Sequence, residues 1–392
     1  MNRGLTGEYI IQKYGDAEVR SFVPFPLPPI PPLSIDTGLR EELDQALISL
    51  GRLDSVATLL PDIDLFLYMY VRKEAVLSSQ IEGTKSSLSD LLLFELEQAP
   101  GAPLDDVIEV SNYVAAIDHG LKRLKEDFPL SNRLIREVHK TLLSRGRGRD
   151  KDPGEFRRSQ NWIQGTRPGN ALYVPPPPEH VADTMGELEK FLHDIPEKMP
   201  VLIKAALVHV QFESIHPFLD GNGRIGRLLI TLLLCHEGVL LHPLLYLSLY
   251  FKQNRAQYFD LLMKVRKEGD WEAWIRFFAI GVREMAEGAV ATARRLNQIS
   301  EADQHVIQGL GRKAGSALRI HQVLQGRPIA SISFLSKMTK MSPPSIAAAL
   351  ETLQKAKIVK EVTGRKRKRI YVYQKYLDLM NKGTEPQDDR SL

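Results

Sequence analysis

The sequence predicts a mostly α-helical protein with a short β-hairpin in its body and a small separate C-terminal module. Apolar residues recur at spacings of three and four through most of the first three hundred residues, while strand-like alternation is confined to a stretch around residues 170–174 and to the end of the chain. Charge is divided as unevenly as pattern. Between Gly311 and Tyr376 there are 15 Lys and Arg against Glu351 and Glu361, a local charge of +13 in a chain of formal net charge +4, so the rest carries −9. Such a split predicts parts with different partners, one of them polyanionic.

At 392 residues, 43% apolar and 26% charged, the chain is long enough for two or three ordinary cores, and a disordered, collagen-like or disulfide-stapled architecture is excluded. The single cysteine, Cys235, lies in an apolar run and reads as a small hydrophobe. The apolar stretch 228–251 is broken by His236, Glu237, His242 and Pro243 before about 20 residues are complete, so no membrane span is expected. The first ten residues carry no apolar signal-peptide core, which makes the cytoplasm the expected location.

Taken in order, residues 22–33 (FVPFPLPPIPPL) hold six prolines and predict an extended arm lying along the body, with an SH3-type ligand as the other reading. Helices are expected over 35–94 with a break, through Leu39, Leu43, Leu47 and Leu50 and then Leu65, Tyr68, Met69, Arg72 and Val76. Further helices are expected over 105–126, 131–144, 179–194 and 200–214. Gly165, Pro168 and Gly169 before Asn170–Val174 predict the hairpin, and the prolines at 175–178 end it.

The chemistry concentrates in residues 216–227, HPFLDGNGRIGR. Gly221 and Gly223 permit a tight loop and close approach of a ligand. The periodic run Ile225, Leu228, Leu229 and Leu232 makes that loop the N-terminus of a helix, where unpaired amides favour an anion. Arg224 and Arg227, three apart, face the same anion; Asp220 is a hard oxygen ligand suited to Mg²⁺ beside phosphates; His216 is the natural general base. No packing requirement asks for these residue types together. The segment is neither a GxxxxGK[ST] loop nor a GxGxxG loop.

HPFLDGNGRIGR resembles the Fic family signature, HxFx[DE]GNGRxxR, at every fixed position. The resemblance implies a helical Fic core that transfers a nucleoside monophosphate, most often AMP from ATP, to a Ser, Thr or Tyr hydroxyl of a protein, this chain itself included. By it, His216 would deprotonate the target and Asp220 would hold Mg²⁺. Asn222 and the amides of Gly221, Gly223, Ile225 and Gly226 would cradle the phosphates, with Arg224 and Arg227 on the outer ones and Phe218 as an anchor. Residues 153–178 resemble the segment leading into the family's target-binding flap, with Leu172, Tyr173 and Val174 at the entrance. YFKQNRAQYFDLL and EGDWEAWIRFF resemble the closing helices, Tyr258 being a candidate adenosine contact or a core aromatic.

Ser78–Gly83, SSQIEG, matches the family's [ST]xxxE[GN] inhibitory motif. Ser78 and Glu82 are four apart on one helix face and Gly83 is a stop signal. By resemblance, Glu82 would pair with Arg227 where the γ-phosphate should sit; in some members the same glutamate supports removal of AMP.

Residues 317–373 read as three helices and a two-stranded wing, an order that resembles a winged-helix domain. Its wing tip carries Arg365, Lys366, Arg367, Lys368 and Arg369, suited to the phosphates of duplex DNA, with protein docking as the other reading. The expected division is 1–100 for the arm and inhibitory helices, 101–295 for the Fic core, 296–380 for the winged helix and 381–392 for a disordered tail. Transfer of another nucleotide, AMP removal, or a DNA-binding regulator with a nucleotide-sensing Fic body are the competing readings, and a homodimer is left open.

Overall fold

A computed structural model describes residues 3–14, 17–58, 63–96, 103–365 and 367–385. It begins with an antiparallel hairpin, β1 (Gly7–Tyr14) and β2 (Ala17–Pro24), paired from Gly7↔Pro24 to Tyr14↔Ala17. The proline arm therefore starts later than its composition predicts: Phe22 and Val23 are buried in β2, and the Phe22 amide donates to the Val174 carbonyl at 2.8 Å. From Phe25 onward the arm lies along the body. Gln211 donates to the Phe25 carbonyl at 2.9 Å, and Arg3 donates to the carbonyls of Pro31 and Pro32 at 2.7 and 2.8 Å.

The helical body follows: α1 (Thr37–Thr58), α2 (Ile63–Ile81), α3 (Leu88–Glu95), α4 (Leu104–Lys125), α5 (Asn132–Leu142), α6 (Pro178–Leu192), α7 (Val201–Ile215), α8 (Asn222–His236), α9 (Ser248–Gln253), α10 (Arg255–Glu268) and α11 (Trp271–Gln308). Side-chain caps start several of them, Ser87 on α3, Ser131 on α5 and Asp270 on α11. Every residue of α7 from Leu202 to Ile215 is buried, because α6, α8, α10 and α11 pack around it. That makes α7 the rigid axis on which the segment after it is mounted. Trp274 of α11, fully buried, ties the axis to its wall by donating Nε1–H to the Ala206 carbonyl at 2.9 Å. Among the described residues no helix is long and apolar enough to cross a membrane.

The C-terminal module runs α12 (Ala314–Gly326), β3 (Ile329–Ser331), α13 (Ile332–Thr339), α14 (Pro343–Lys355), β4 (Lys360–Glu361), β5 (Ile370–Val372) and α15 (Gln374–Asn381). Ser331 and Ser342 cap α13 and α14, and Pro343 and Pro344 open α14 where no amide partner is needed. The sheet has three strands in the order β3-β5-β4, one more than the two-stranded expectation, because Ile329–Ser331 pairs with Ile370–Val372. The expectation of a disordered tail from 381 is corrected for residues 381–385: Asn381 ends α15, and Thr384 is 1% exposed. Residues 386–392 lie outside the described residues.

Candidate functional site

His216 ends α7 and Asn222 starts α8, so the intervening loop is stretched between two buried helices. His216 sits at φ 50, ψ 59, left-handed backbone that a non-glycine residue adopts only where its surroundings impose it. Arg157 imposes it. Only 2% exposed, Arg157 donates to the carbonyls of His216 at 2.9 Å and Pro176 at 2.5 Å, tying the loop to the segment before α6.

The loop's far end is fixed from α5. Phe218, fully buried, stacks on His139 with ring centroids 3.7 Å apart. His139 accepts from the Gly154 amide at Nδ1, 2.8 Å, so Nε2 carries the hydrogen and donates it to the Asp220 carbonyl at 3.0 Å. Burial pulls the His139 imidazole down to about 4, in keeping with this neutral tautomer.

Within the loop, Asn222 accepts from the Phe218 amide at 2.8 Å and donates to the Phe218 carbonyl at 2.7 Å. This corrects the expectation for Asn222: its side chain is spent on closing the loop rather than on a phosphate. The Ile225 amide likewise bonds the Gly221 carbonyl at 3.0 Å, and its side chain is in the core. The amides left over by helix geometry are those of Asn222, Gly223 and Arg224. Gly221, at φ +77, makes the turn that aims them. Asp220 is half-exposed beside them, Oδ1 accepting from the Gly221 amide at 2.6 Å.

Both arginines are engaged by carboxylates. Arg227 donates Nε–H to Ser78 Oγ at 2.9 Å and Nη2–H to the Ser78 carbonyl at 2.9 Å and to Glu82 Oε1 at 2.7 Å. Arg227 itself is 3% exposed, whereas the Glu82 side chain, facing a cavity, is 43% exposed. Burial opposes charge on Glu82, but the Arg227 guanidinium, with Arg224 behind it, holds the carboxyl below its usual range. Arg224 pairs with Glu109 of α4 at 3.2 Å and with Asp220 at 3.6 Å. Glu109 also meets Arg147.

Of these groups Glu82, Gly223 and Arg227 open on a cavity of ≈ 760 Å³ between the end of α2, the start of α8 and α10, lined also by Glu213, His216 and Tyr258 among others. Burial lowers the His216 imidazole to about 3, with Arg157 and Arg266 adding to the effect, so it stands neutral. Its Nδ1 has no hydrogen-bond partner among the described residues. Glu213, one turn earlier, is buried with no hydrogen-bond partner for Oε1 among the described residues, and burial pushes its carboxyl up to about 7.

Tyr258 is a core aromatic that also walls the cavity: its ring stacks on Phe251 at 4.7 Å, and its hydroxyl is tied to His209 at 2.8 Å. The hairpin expected at 170–174 is reduced to one bridge, Ile163↔Tyr173, because Pro168 and the prolines at 175–178 withhold ladder donors. Leu172 and Tyr173 line the cavity, Leu172 at 56% exposure. Val174 does not: it is buried and gives its carbonyl to β2. In the C-terminal module, Arg365, Arg367, Lys368 and Arg369 are all exposed, and Lys366 lies outside the described residues.

Glu109, His139, Arg157 and Glu213 were not singled out from the sequence. The one signal for Glu109 is its place four and three residues after Asp105 and Asp106, in an acidic cluster at the start of α4.

Comparison with known proteins agrees with this geometry. Residues 40–122 match the Fic/DOC family N-terminal region and residues 129–234 the Fic/DOC family. A protein adenylyltransferase Fic of Aedes aegypti is 34% identical over 204 residues, 51% of this chain and 38% of that protein, and one of Drosophila ananassae is 32% identical over 202 residues, 51% and 37%. The chain thus spans well under half the length of these relatives. A Fic family protein from Desulfovibrio desulfuricans shares the fold with a TM-score of 0.58 at 20% identity, covering 87% of this chain and 97% of that one. Fic-1 of C. elegans superimposes with a TM-score of 0.50 at 21% identity, covering 66% and 73%. Its N-terminal region and its loop-bearing core thus each carry a domain of the Fic/DOC family.

Proposed function

We propose that this chain is a protein adenylyltransferase held off by its own Glu82. The observation that carries the reading is the meeting, at one cavity, of a neutral His216, the free amides at the start of α8, and an Arg227 whose anion-binding face is taken by a carboxylate. Relatives named protein adenylyltransferase support ATP as the donor. In the reaction, a Ser, Thr or Tyr oxygen of the target attacks the α-phosphorus, His216 takes its proton, and the bond to the β-phosphate breaks to release pyrophosphate. The amides and arginines stabilise charge already in place, which is what such a transfer asks of a protein.

Asp220 fits Mg²⁺. It is one half-exposed carboxylate beside an anion site, the donor set this ion takes when substrate phosphates supply further oxygens. Bound there, the ion would neutralise phosphate charge.

The test is transfer from ATP labelled at the α- or the γ-phosphate, by Glu82→Gly and by Glu82→Gly combined with His216→Ala. The proposal expects α-label on protein from the single variant, none from the double, and no γ-label from either. Incorporation of γ-label, or α-label indifferent to His216, would overturn it.

The C-terminal module supports a second activity, binding to the phosphates of duplex DNA. Four described cations at the β4–β5 tip are exposed beside a groove of ≈ 860 Å³ along α14, whose Ala347 and Ala348 offer nothing to read a base. Affinity for duplex should then fall with salt at a log–log slope of about −3 to −4 and show little sequence preference. A flat salt dependence contradicts phosphate contact.

A further inference from the structure

Beyond α15 the chain turns back toward the mouth of the cavity. Gly383, at φ +82, passes so close to α9 that a side chain there would lie 2.7 Å from Leu249 Cδ1. The next residues are then held by their main chain. Gln80 Nε2 donates to the Thr384 carbonyl at 2.8 Å, and Lys252 Nζ donates to the carbonyls of Gly383 at 3.2 Å and Glu385 at 2.7 Å.

Gln80 is on the last turn of α2, two residues before Glu82, and the same amide nitrogen donates to the Ser86 carbonyl at 2.8 Å while Oε1 accepts from Lys252 at 2.7 Å. The network is closed: two hydrogens on the Gln80 amide and three on the Lys252 ammonium meet five acceptors between them. Lys252 is 6% exposed and Thr384 1%, so water does not replace these partners while the segment is in place. A second tie holds the approach, Asn381 donating to Ser89 Oγ at 2.9 Å across to α3.

We infer that residues 382–385 are a strap that clamps the end of α2, and with it the turn carrying Glu82, so that the C-terminal module governs how readily the contact with Arg227 opens. The turn is otherwise lightly built. Among the described residues, the amides of Glu82, Gly83 and Thr84 go to the Ser79 and Gln80 carbonyls at 3.1–3.2 Å, the next firm tie being the Lys85 amide to Asp106 at 2.7 Å, and Glu82 reaches Arg227 from there. Loss of the strap strips Gln80 and Lys252 of three acceptors at once and frees the turn to move as a unit. The strap as a mechanical element stands on these contacts alone; its effect on transfer rests on the reading of Glu82 given above.

Two variants test it, a truncation after Lys382, which keeps α15 whole, and Gly383→Val, which blocks the seat against Leu249 without shortening the chain. The first readout is hydrogen exchange of the Glu82, Gly83 and Thr84 amides in the full protein, needing no activity. Both variants should speed it by about tenfold or more, with the amides of α7 unchanged as the control for folding. Equal exchange in parent and both variants would overturn the strap. The second readout is transfer from α-labelled ATP, which should rise in both variants toward the level of Glu82→Gly. If Glu82→Gly itself transfers nothing while exchange quickens, the function fails and the strap survives; if Glu82→Gly transfers and the strap variants neither exchange faster nor transfer more, the strap fails alone.

Discussion

One buried cation, Arg157, decides where the proposed base stands. Its guanidinium serves the His216 and Pro176 carbonyls, with further contacts to the Ser159 carbonyl at 3.3 Å and the Ile215 carbonyl at 3.5 Å, and so braces the left-handed His216. A lysine carries the charge but not the planar fork, so Arg157→Lys leaves buried carbonyls unpaired and should cost about 2–4 kcal/mol in urea unfolding. In a Glu82→Gly background it should also lower transfer by about tenfold or more, since a base displaced by an ångström loses its line to the target. A lysine variant equal to the parent in both measurements would show that the fork is dispensable. At this scale the twelve-residue loop was legible, because its chemistry is contiguous and no core requires it. Glu109, His139 and Arg157 were not, since they reach the loop from 115, 81 and 59 residues away and look, locally, like ordinary helix or turn residues.

At the scale of elements, most helices follow the apolar period because they bury one stripe, α7 being the exception buried all round, and the serine caps mark their starts where the sequence places them. The exception at the N-terminus has a readable cause. Residues 7–14 and 17–24 are β-rich runs separated by Gly15 and Asp16, a hairpin signal, which the dense prolines just beyond obscure. The flap region erred in the other direction: turn residues were plentiful, but the donors for a ladder were not, and a single bridge is what remains. The third strand of the C-terminal sheet is three residues long and gains its stability only from β5, so nothing local announces it.

Across the whole molecule, the account joins three remote segments: the end of α2, the loop at the start of α8, and the chain after α15. Their contacts span 145 residues between Glu82 and Arg227 and 304 between Gln80 and Thr384. Charge asymmetry marked the C-terminal module as distinct, yet only the fold brings its end against the helix that carries Glu82. The central claim is that Glu82 restrains a competent enzyme by occupying Arg227. The measurement that meets it most directly is the initial rate of AMP transfer to protein at saturating ATP for the parent, Ser78→Ala and Glu82→Gly. The account predicts that Glu82→Gly exceeds the parent by about tenfold or more, equivalent to about 1.4 kcal/mol, with Ser78→Ala between them because it removes only one of the acceptors on Arg227. Equal rates in all three would contradict it.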